Sequence, residues 1–345
     1  MASACRADDF DYEYPPEAVA QRPLAERSAS RLLVLDRATG TIAHRVFGEF
    51  PSLLASGDVL VRNTSRVIPA RLVGRRDNGR PAEILLVHAE SADTWLAMVH
   101  PGGKLKQGRR VSFGDDATAE IVAVVGGGLR RVRFSGARSV ADLMRTAGAV
   151  PLPPYIERPP DELDRERYQT VYATEDGSVA APTAGLHFTA AVLADVERSG
   201  VQIADVLLHV GPGTFKPVEV DDPAQHVMHR EWYAIPDETA ERINRAKAAG
   251  HRVWAVGTTA ARTLETAAAD DGTITAGSGW TDLFIYPPYR FRIVDGLLTN
   301  FHLPRSTLIM LVAAFAGPER TMAAYREAVA QGYRLFSYGD AMAAR

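Results

Sequence analysis

The chain has 345 residues, 46% of them hydrophobic and 23% charged, with a formal net charge of −3. That balance suits a soluble globular protein with room for two or three domains, and it excludes a molecule that is cationic throughout and binds nucleic acid by bulk charge alone. Cys5 is the single cysteine, so no internal disulfide or cysteine-rich metal cluster can form, which fits a reducing compartment. The first residues carry Asp8, Asp9, Asp11 and Glu13 rather than an apolar signal core. The longest aliphatic run, 308–316, is far shorter than the ~20 residues a membrane helix needs. These features predict a cytoplasmic protein with no membrane association.

Residues 1–7 read as an untethered extension, and 8–23 as an acidic, aromatic stretch with a short helix at 17–21. Leu32-Leu33-Val34-Leu35 is a strand that turns at 36–40 and returns over 41–46 as a hairpin. A helical segment at 50–54 leads through Gly57-Asp58 to the strand Val59-Leu60-Val61. The polar cluster Arg62-Asn63-Thr64-Ser65-Arg66 follows that strand directly. An ordinary turn and a polar binding edge both fit it; the second makes Asn63 and Arg66 candidates for substrate contact.

From residue 70 the texture changes. Short β-rich segments at 70–73, 83–89, 94–99, 110–113, 119–125 and 129–134 are separated by turns rich in Gly, Asn and Asp, a pattern that predicts a small antiparallel barrel. Helical spacing at 140–147 and a proline-rich strip at 151–160 close it. The expected organisation is a discontinuous α/β main domain, 1–69 plus 151–345, with an inserted β-barrel domain at 70–150. The insertion holds 13 Lys or Arg against 8 Asp or Glu, a net +5 that leaves −8 on the rest of the chain. Arg71, Arg75, Arg76 and Arg80 form one basic cluster and Lys104, Lys106, Arg109 and Arg110 another. A single cluster of this kind is more often a solvated surface. Two in one domain of an otherwise acidic chain point to a polyanion.

Two motifs dominate the second half. AAPTAGLHFT, at 180–189, places Pro182, Thr183, Gly185 and His187 in a tight turn before a helix at 190–200, with Thr189 as its N-cap. DVLLHVGPGTF, at 205–215, is an apolar strand that breaks after His209 and Val210 into Gly211-Pro212-Gly213-Thr214, where a ligand can approach the backbone. Either motif alone reads best as a loop with a structural histidine. Two of them around one helix point to a site at neighbouring strand ends. His226, His229 and Glu231 invite a zinc reading, but they lack the H-E-x-x-H helix, and structural or substrate-contacting roles suit them better.

A helix at 237–249 and a buried strand at 253–256 follow. Gly257-Thr258-Thr259 then opens a helix at 260–269, a strand–turn–helix arrangement suited to a carboxylate or phosphate; there is no dinucleotide fingerprint. Residues 281–290 read as a strand with an aromatic exit through Tyr286, Tyr289 and Arg290. A strand at 297–301 exits through His302, and Ser306 or Thr307 can cap a helix at 308–316, before a final helix at 318–331. The alternation of strands and helices gives an α/β class, barrel-like, with polar exit loops gathered at one end.

Taken in order, AAPTAGLHFT, HVGPGTFKPV, MHREWY, VGTTAARTLE, TDLFIYPPYRF, LLTNFHLPRSTLIMLVAAFAG and GYRLFSYGDAM closely resemble the S-adenosylmethionine:tRNA ribosyltransferase-isomerases of queuosine synthesis. The opening DFDYEYPPEAVAQRPLAERSASRLLVLDR matches too, so the likeness runs over nearly the whole chain from Asp8. It implies an α/β barrel-like main domain with an inserted antiparallel β-barrel, a monomer, and no metal or cofactor. S-adenosylmethionine would be a substrate donating its ribosyl unit. The acceptor would be 7-aminomethyl-7-deazaguanine at the wobble position of a tRNA with a GUN anticodon, and the products epoxyqueuosine in tRNA, adenine and methionine.

Such chemistry asks for a base at the carbon beside the sulfonium, a neutral acceptor amine, and hydrogen bonding to the departing adenine; histidine suits these steps. His187, His209, His229 and His302 are therefore the candidate acids and bases, with Glu231 as a further base. Thr259 and Arg262 are candidates for the methionine carboxylate. Tyr286, Tyr289 and Phe301 could stack on adenine or on the flipped-out deazaguanine. Thr183, Gly185, Gly211, Gly213, Thr214, Thr258 and Arg290 complete the expected substrate contacts, beside Asn63 and Arg66. The basic clusters of the insertion would meet tRNA. The family usually has an aromatic where this chain has Arg62, and aspartate where it has Thr64. Residues 343–345 lack the usual apolar finish, which predicts a looser tail.

Overall fold

The computed structural model describes residues 5–115, 117–215 and 217–345; the first four residues of the expected extension, and Lys216 of the HVGPGTFKPV segment, lie outside the described residues. The chain opens with β1 (Arg31–Leu35), β2 (Ile42–Val46), β3 (Val59–Asn63) and a short β4 (Ser65–Val67). Six strands follow: β5 (Arg71–Arg76), β6 (Pro81–Ala89), β7 (Thr94–His100), β8 (Arg110–Ser112), β9 (Ala117–Gly126) and β10 (Leu129–Gly136). Helix α1 (Val140–Ala147), β11 (Gly148–Ala149), α2 (Glu162–Arg167), β12 (Glu175–Ser178) and α3 (Ala190–Arg198) lead back to the main body. There the order is β13 (Gln202–Leu208), β14 (Glu231–Ile235), α4 (Asp237–Ala248), β15 (Val253–Val256), α5 (Gly257–Thr266), β16 (Gly277–Thr281), β17 (Gly296–Asn300), α6 (Thr307–Ala316), α7 (Pro318–Ala330) and β18 (Ala341–Ala344).

The main sheet has nine strands in the order β16-β14-β13-β3-β15-β17-β18-β1-β2. Its centre, β13-β3-β15-β17, is parallel. These strands are apolar on both faces, as a parallel strand covered by helices must be. Leu33, Val59, Val61, Val253, Ala255 and Leu297 face α4, α5, α6 and α7. Leu32, Leu60, Trp254, Val256 and Leu298, one residue out of step, face Phe47, Phe50, Phe188 and α3. This period of two is the pleat expressed as two hydrophobic cores.

The insertion closes on itself. Strands β5-β6-β7-β10-β9-β8 are antiparallel neighbours, and β8 pairs back with β5. Ile84, Leu86, Ala97, Val111, Ile121, Val132 and Phe134 fill it, and α1 plugs it with Val140 and Leu143. The protein is thus an α/β fold with an inserted antiparallel β-barrel.

Several local expectations are corrected. Ala7 is no free extension: it is fully buried and its amide donates to the Asp221 carbonyl at 2.9 Å. The helices expected at 17–21 and 50–54 are 3-10 turns, Pro16–Ala18 and Phe47–Leu53, the second holding Pro51, which cannot supply an α-helical amide. The strand expected at 281–290 instead ends at Thr281, whose hydroxyl accepts the Leu283 amide at 3.1 Å and turns the chain out of the ladder, and Pro287 and Pro288 further on cannot donate to one. The tail is not loose. Residues 341–344 form β18, fully buried between β17 and β1. Arg62, where the resemblance leads one to expect an aromatic, lies 4.5 Å over the Tyr172 ring and pairs with Asp205 at 2.6 Å, so a cation–π contact fills that place.

Candidate active site

A cleft of about 590 Å³, mouth included, opens at the carboxyl ends of β13, β15 and β17. This is where an α/β sheet presents its exit loops. Thr183, Thr214, Thr258, Thr259 and His302 line it, all of them candidates from sequence, together with Gly257, Thr299, Asn300, Ser306 and Ser337. Helix α5 starts here. Gly257 holds φ +86°, a left-handed conformation that glycine adopts freely. No side chain caps this helix, so its first amides face the cleft with their partial positive charge. Two buried polar atoms of the lining lack a protein partner, Thr259 Oγ1 and Asn300 Oδ1. A buried orphan oxygen costs about 1–3 kcal/mol, so such atoms mark a ligand position.

The four candidate histidines separate sharply. His187 is fully buried, with Phe47 stacked on its ring at 5.1 Å. Ser30 Oγ donates to the Arg27 carbonyl at 3.2 Å, so at 2.7 Å it accepts from His187 Nδ1; Asn300 Nδ2 faces Nε2 at 3.3 Å. Both nitrogens are used, and burial pushes its pKa down to about 3. His187 is a neutral strut that sets Asn300, and it does not reach the cleft as a base. His302 does line the cleft, with Nε2 at 2.6 Å from Thr299 Oγ1, and burial also pushes it down to about 3.

His209 is half-buried and borders a second cleft on the far side of the Gly211 turn. Its Nδ1 lies 2.9 Å from Ser65 Oγ, which lies 2.6 Å from Ser178 Oγ, which accepts the Val210 amide at 2.9 Å. Nε2 has no hydrogen-bond partner among the described residues. Burial lowers its pKa, with Glu175 opposing the shift, so the ring is neutral near pH 7. His229 packs into the space left by Gly213, whose absent Cβ would lie 2.6 Å from its ring.

Other expectations from sequence are revised. Asn63 is fully buried and its amide staples β3 to β13, donating to the Leu208 carbonyl and accepting the Leu208 and Ser65 amides at 2.9–3.1 Å, so it has no free edge for a substrate. Phe301 borders the cleft, but its ring is buried edge-on to Tyr325 and Tyr333 and offers no stacking face. Arg262 is ion-paired with Glu231 and donates to the Leu283 carbonyl at 3.1 Å; it does not line the cleft. Glu231 is spent on Arg262 and on the Gly211 amide at 2.8 Å, which fixes the turn and removes it from any metal set with His226 and His229. Among the described residues no three His, Cys, Asp or Glu side chains gather around a common point.

Gly185 is required for packing rather than ligand approach, since a Cβ there would lie 2.2 Å from Tyr172 Oη. Arg66 is exposed and bonds the Ala173 carbonyl at 2.8 Å. Tyr286 packs on Phe284, Tyr289 donates to Glu265 at 3.3 Å, and Arg290 is exposed; none lines the cleft. In the barrel, Lys104, Lys106 and Arg109 are exposed and Arg110 faces Glu120 at 3.3 Å. Arg71 is paired with Glu83 at 2.7 Å, Arg75 donates to the Gly79 carbonyl at 2.9 Å, and Arg76 is half-buried. Asn300 and Ser178 escaped sequence reasoning, and Ser65 entered it only as a member of the polar cluster at 62–66. Asn300 stands in the strand exit between Thr299 and Phe301, and that position was its one available signal.

The family model described as "Queuosine biosynthesis protein" matches residues 7–344. An S-adenosylmethionine:tRNA ribosyltransferase-isomerase from Heliobacterium modesticaldum is 54% identical over 336 residues, covering 96% of this chain and 98% of that one. One of the same name from Moorella thermoacetica is 53% identical over 340 residues, covering 98% and 99%. The crystal structure of S-adenosylmethionine tRNA ribosyltransferase from Thermotoga maritima is similar with a TM-score of 0.56 and 41% identity, over 98% of this chain and 100% of that one. With a threonine-lined cleft at its strand ends and a match over almost its whole length, this chain belongs to the queuosine biosynthesis protein family.

Proposed function

We propose that this protein transfers and isomerises the ribosyl unit of S-adenosylmethionine onto 7-aminomethyl-7-deazaguanine at the wobble position of a GUN-anticodon tRNA, releasing adenine and methionine. One observation carries the reading: the threonine-lined cleft has an uncapped helix start and orphan oxygens, in a chain more than half identical to enzymes bearing that name. The free amides of α5 and the Thr259 hydroxyl receive the methionine carboxylate; Arg262, paired with Glu231, lies outside the cleft lining. Asn300 Oδ1 accepts from the sugar or the adenine amine.

Two of the histidines divide the proton work. His302, neutral and fixed by Thr299, is a hydrogen-bond partner for adenine; a ring so resistant to protonation is a weak base. His209 keeps one nitrogen open, and burial holds its ring in the neutral, proton-accepting form, so it removes the proton that must leave before the acceptor amine attacks. Residues 70–150 form a separate domain that meets tRNA through Lys104, Lys106, Arg109 and Arg110. The enzyme acts as a cytoplasmic monomer, and S-adenosylmethionine is consumed as a substrate without a cofactor.

The test is product analysis with purified protein, S-adenosylmethionine and tRNA already carrying the aminomethyl base. Adenine and methionine should appear in equal amounts, and only with that tRNA. Release of S-adenosylhomocysteine would replace the reading with methyl transfer, and RNA binding without release would replace it with a non-catalytic RNA module.

A further inference from the structure

Three of the four tryptophans, Trp95, Trp232 and Trp280, line one opening of about 950 Å³, mouth included, between the barrel and the main body. The barrel contributes His88 and Trp95; the body contributes His209, Gly211, Trp232 and Trp280. Four of these side chains are linked in turn, by ring contacts at the two ends and by strand pairing between them. His209 stacks on Trp232 with centroids 5.5 Å apart, Trp232 is the cross-strand partner of Trp280, and Trp280 meets His88 edge-on at 4.9 Å. Gly177 makes room for the first of them: at φ +153°, its missing Cβ would sit 2.4 Å from the His209 ring.

Aromatic residues that merely glue two domains are buried by them. Here Trp280 stays 42% exposed beside an unfilled cleft. Wet, rigid indole faces are platforms for unstacked bases. The cleft also has acceptors and a cation for a purine edge and its phosphate, with Asp176 and Arg230 on the lining. Finally, the turn after β13 is a wall shared by two clefts: His209 and Gly211 line the tryptophan side, and Val210 and Thr214 line the threonine side.

We infer that the tryptophan cleft holds the flipped-out purine that accepts the ribosyl group. The base stacks on Trp280 and Trp232, and its aminomethyl arm turns past Gly211 toward the threonine cleft, with His209 beside the arm. This rests on the ribosyl-transfer reading, and it places the RNA base in a different cleft from S-adenosylmethionine.

The experiment compares full-length wild type with Trp280→Ala and Trp280→Phe, using an anticodon stem-loop that carries the aminomethyl base. Trp280→Ala should raise the KM for RNA at least tenfold, leave S-adenosylmethionine affinity by calorimetry within twofold, and leave the melting temperature near wild type, since β16 is an edge strand. Trp280→Phe should recover most of the loss. Unchanged kinetics in Trp280→Ala, or an equal loss of affinity for both substrates, overturns the inference. His88→Ala, on the barrel wall, guards against damage confined to β16. It should raise the RNA KM about threefold, and no change there argues against a two-walled site. Should wild type release no adenine, the reaction reading fails separately. The cleft is then judged by stem-loop binding alone, with tenfold weaker binding by Trp280→Ala in support and equal binding against.

Discussion

The turns at 180–189 and 205–215 are built from the same materials, small residues, proline, glycine and one histidine each, and they put those histidines to opposite uses. His187 ends a 3-10 turn under an aromatic stack and has both nitrogens occupied. His209 follows β13, where Leu208 and Val210 turn into the core and the residue between them turns out to a cleft. Composition around a histidine therefore says little about its chemistry. What decides it is which ring nitrogens are already bonded and how much water reaches the remaining one.

The sharpest way to break this contrast is to remove each ring. His209→Gln should lower kcat by about 10²–10⁴-fold with little change in melting temperature. His187→Ala should destabilise the fold by about 2–4 kcal/mol, seen in urea unfolding, because it leaves a cavity and strips Asn300 of a partner. A His187→Ala variant that is stable but inactive would reverse the assignment.

The pH dependence of stability sharpens it next. His187 and His302 have folded pKa values of about 3 against roughly 6.5 when unfolded. Below 6.5 the unfolded chain binds protons that the folded chain refuses, so stability present above pH 6.5 is lost as pH falls toward 3. Each ring contributes up to about 1.4 kcal/mol per pH unit in that window. His187→Gln should flatten the slope of unfolding free energy against pH; an unchanged slope would show that the ring is not buried neutral.

Smaller effects come from the threonine cleft and the barrel. Thr259→Val keeps the shape and removes the orphan hydroxyl, so S-adenosylmethionine should bind about tenfold more weakly in calorimetry, with RNA binding unaffected. Lys106→Ala should reduce the slope of log K for tRNA against log salt by about 0.7–0.9 while leaving both turns untouched.

Much of this was legible in the sequence because it is local. The barrel strands announce themselves by alternation and by turn residues, Thr214, Thr258, Thr259 and His302 by their places after apolar strands, and Thr183 by its small-residue turn. The errors come from parity and distance. Asn300 and Phe301 are neighbours, and a one-residue step in an extended chain exchanges the cleft for the core. Asn63 has the same look as a cleft residue, but the partner that consumes its amide is Leu208, far along the chain. Trp95, Trp232 and Trp280 come from two different sheets, so their convergence could not be read from spacing. The strand at 341–344, Ala-Met-Ala-Ala, carries no β signal of its own; tertiary pairing imposes it.

That strand has a consequence for synthesis on the ribosome. The barrel's sheet is drawn from one contiguous stretch, 71–149, and can close while the rest of the chain is still being made. The main sheet cannot, because β18 sits between β17 and β1, and β1 is made before the barrel while β18 is made long after it. Until residues 341–344 are released, β1 and β17 present bare inner edges to the cell, so a nascent or stalled chain carries a finished barrel on an open sheet, the form in which chaperones and proteases would meet it.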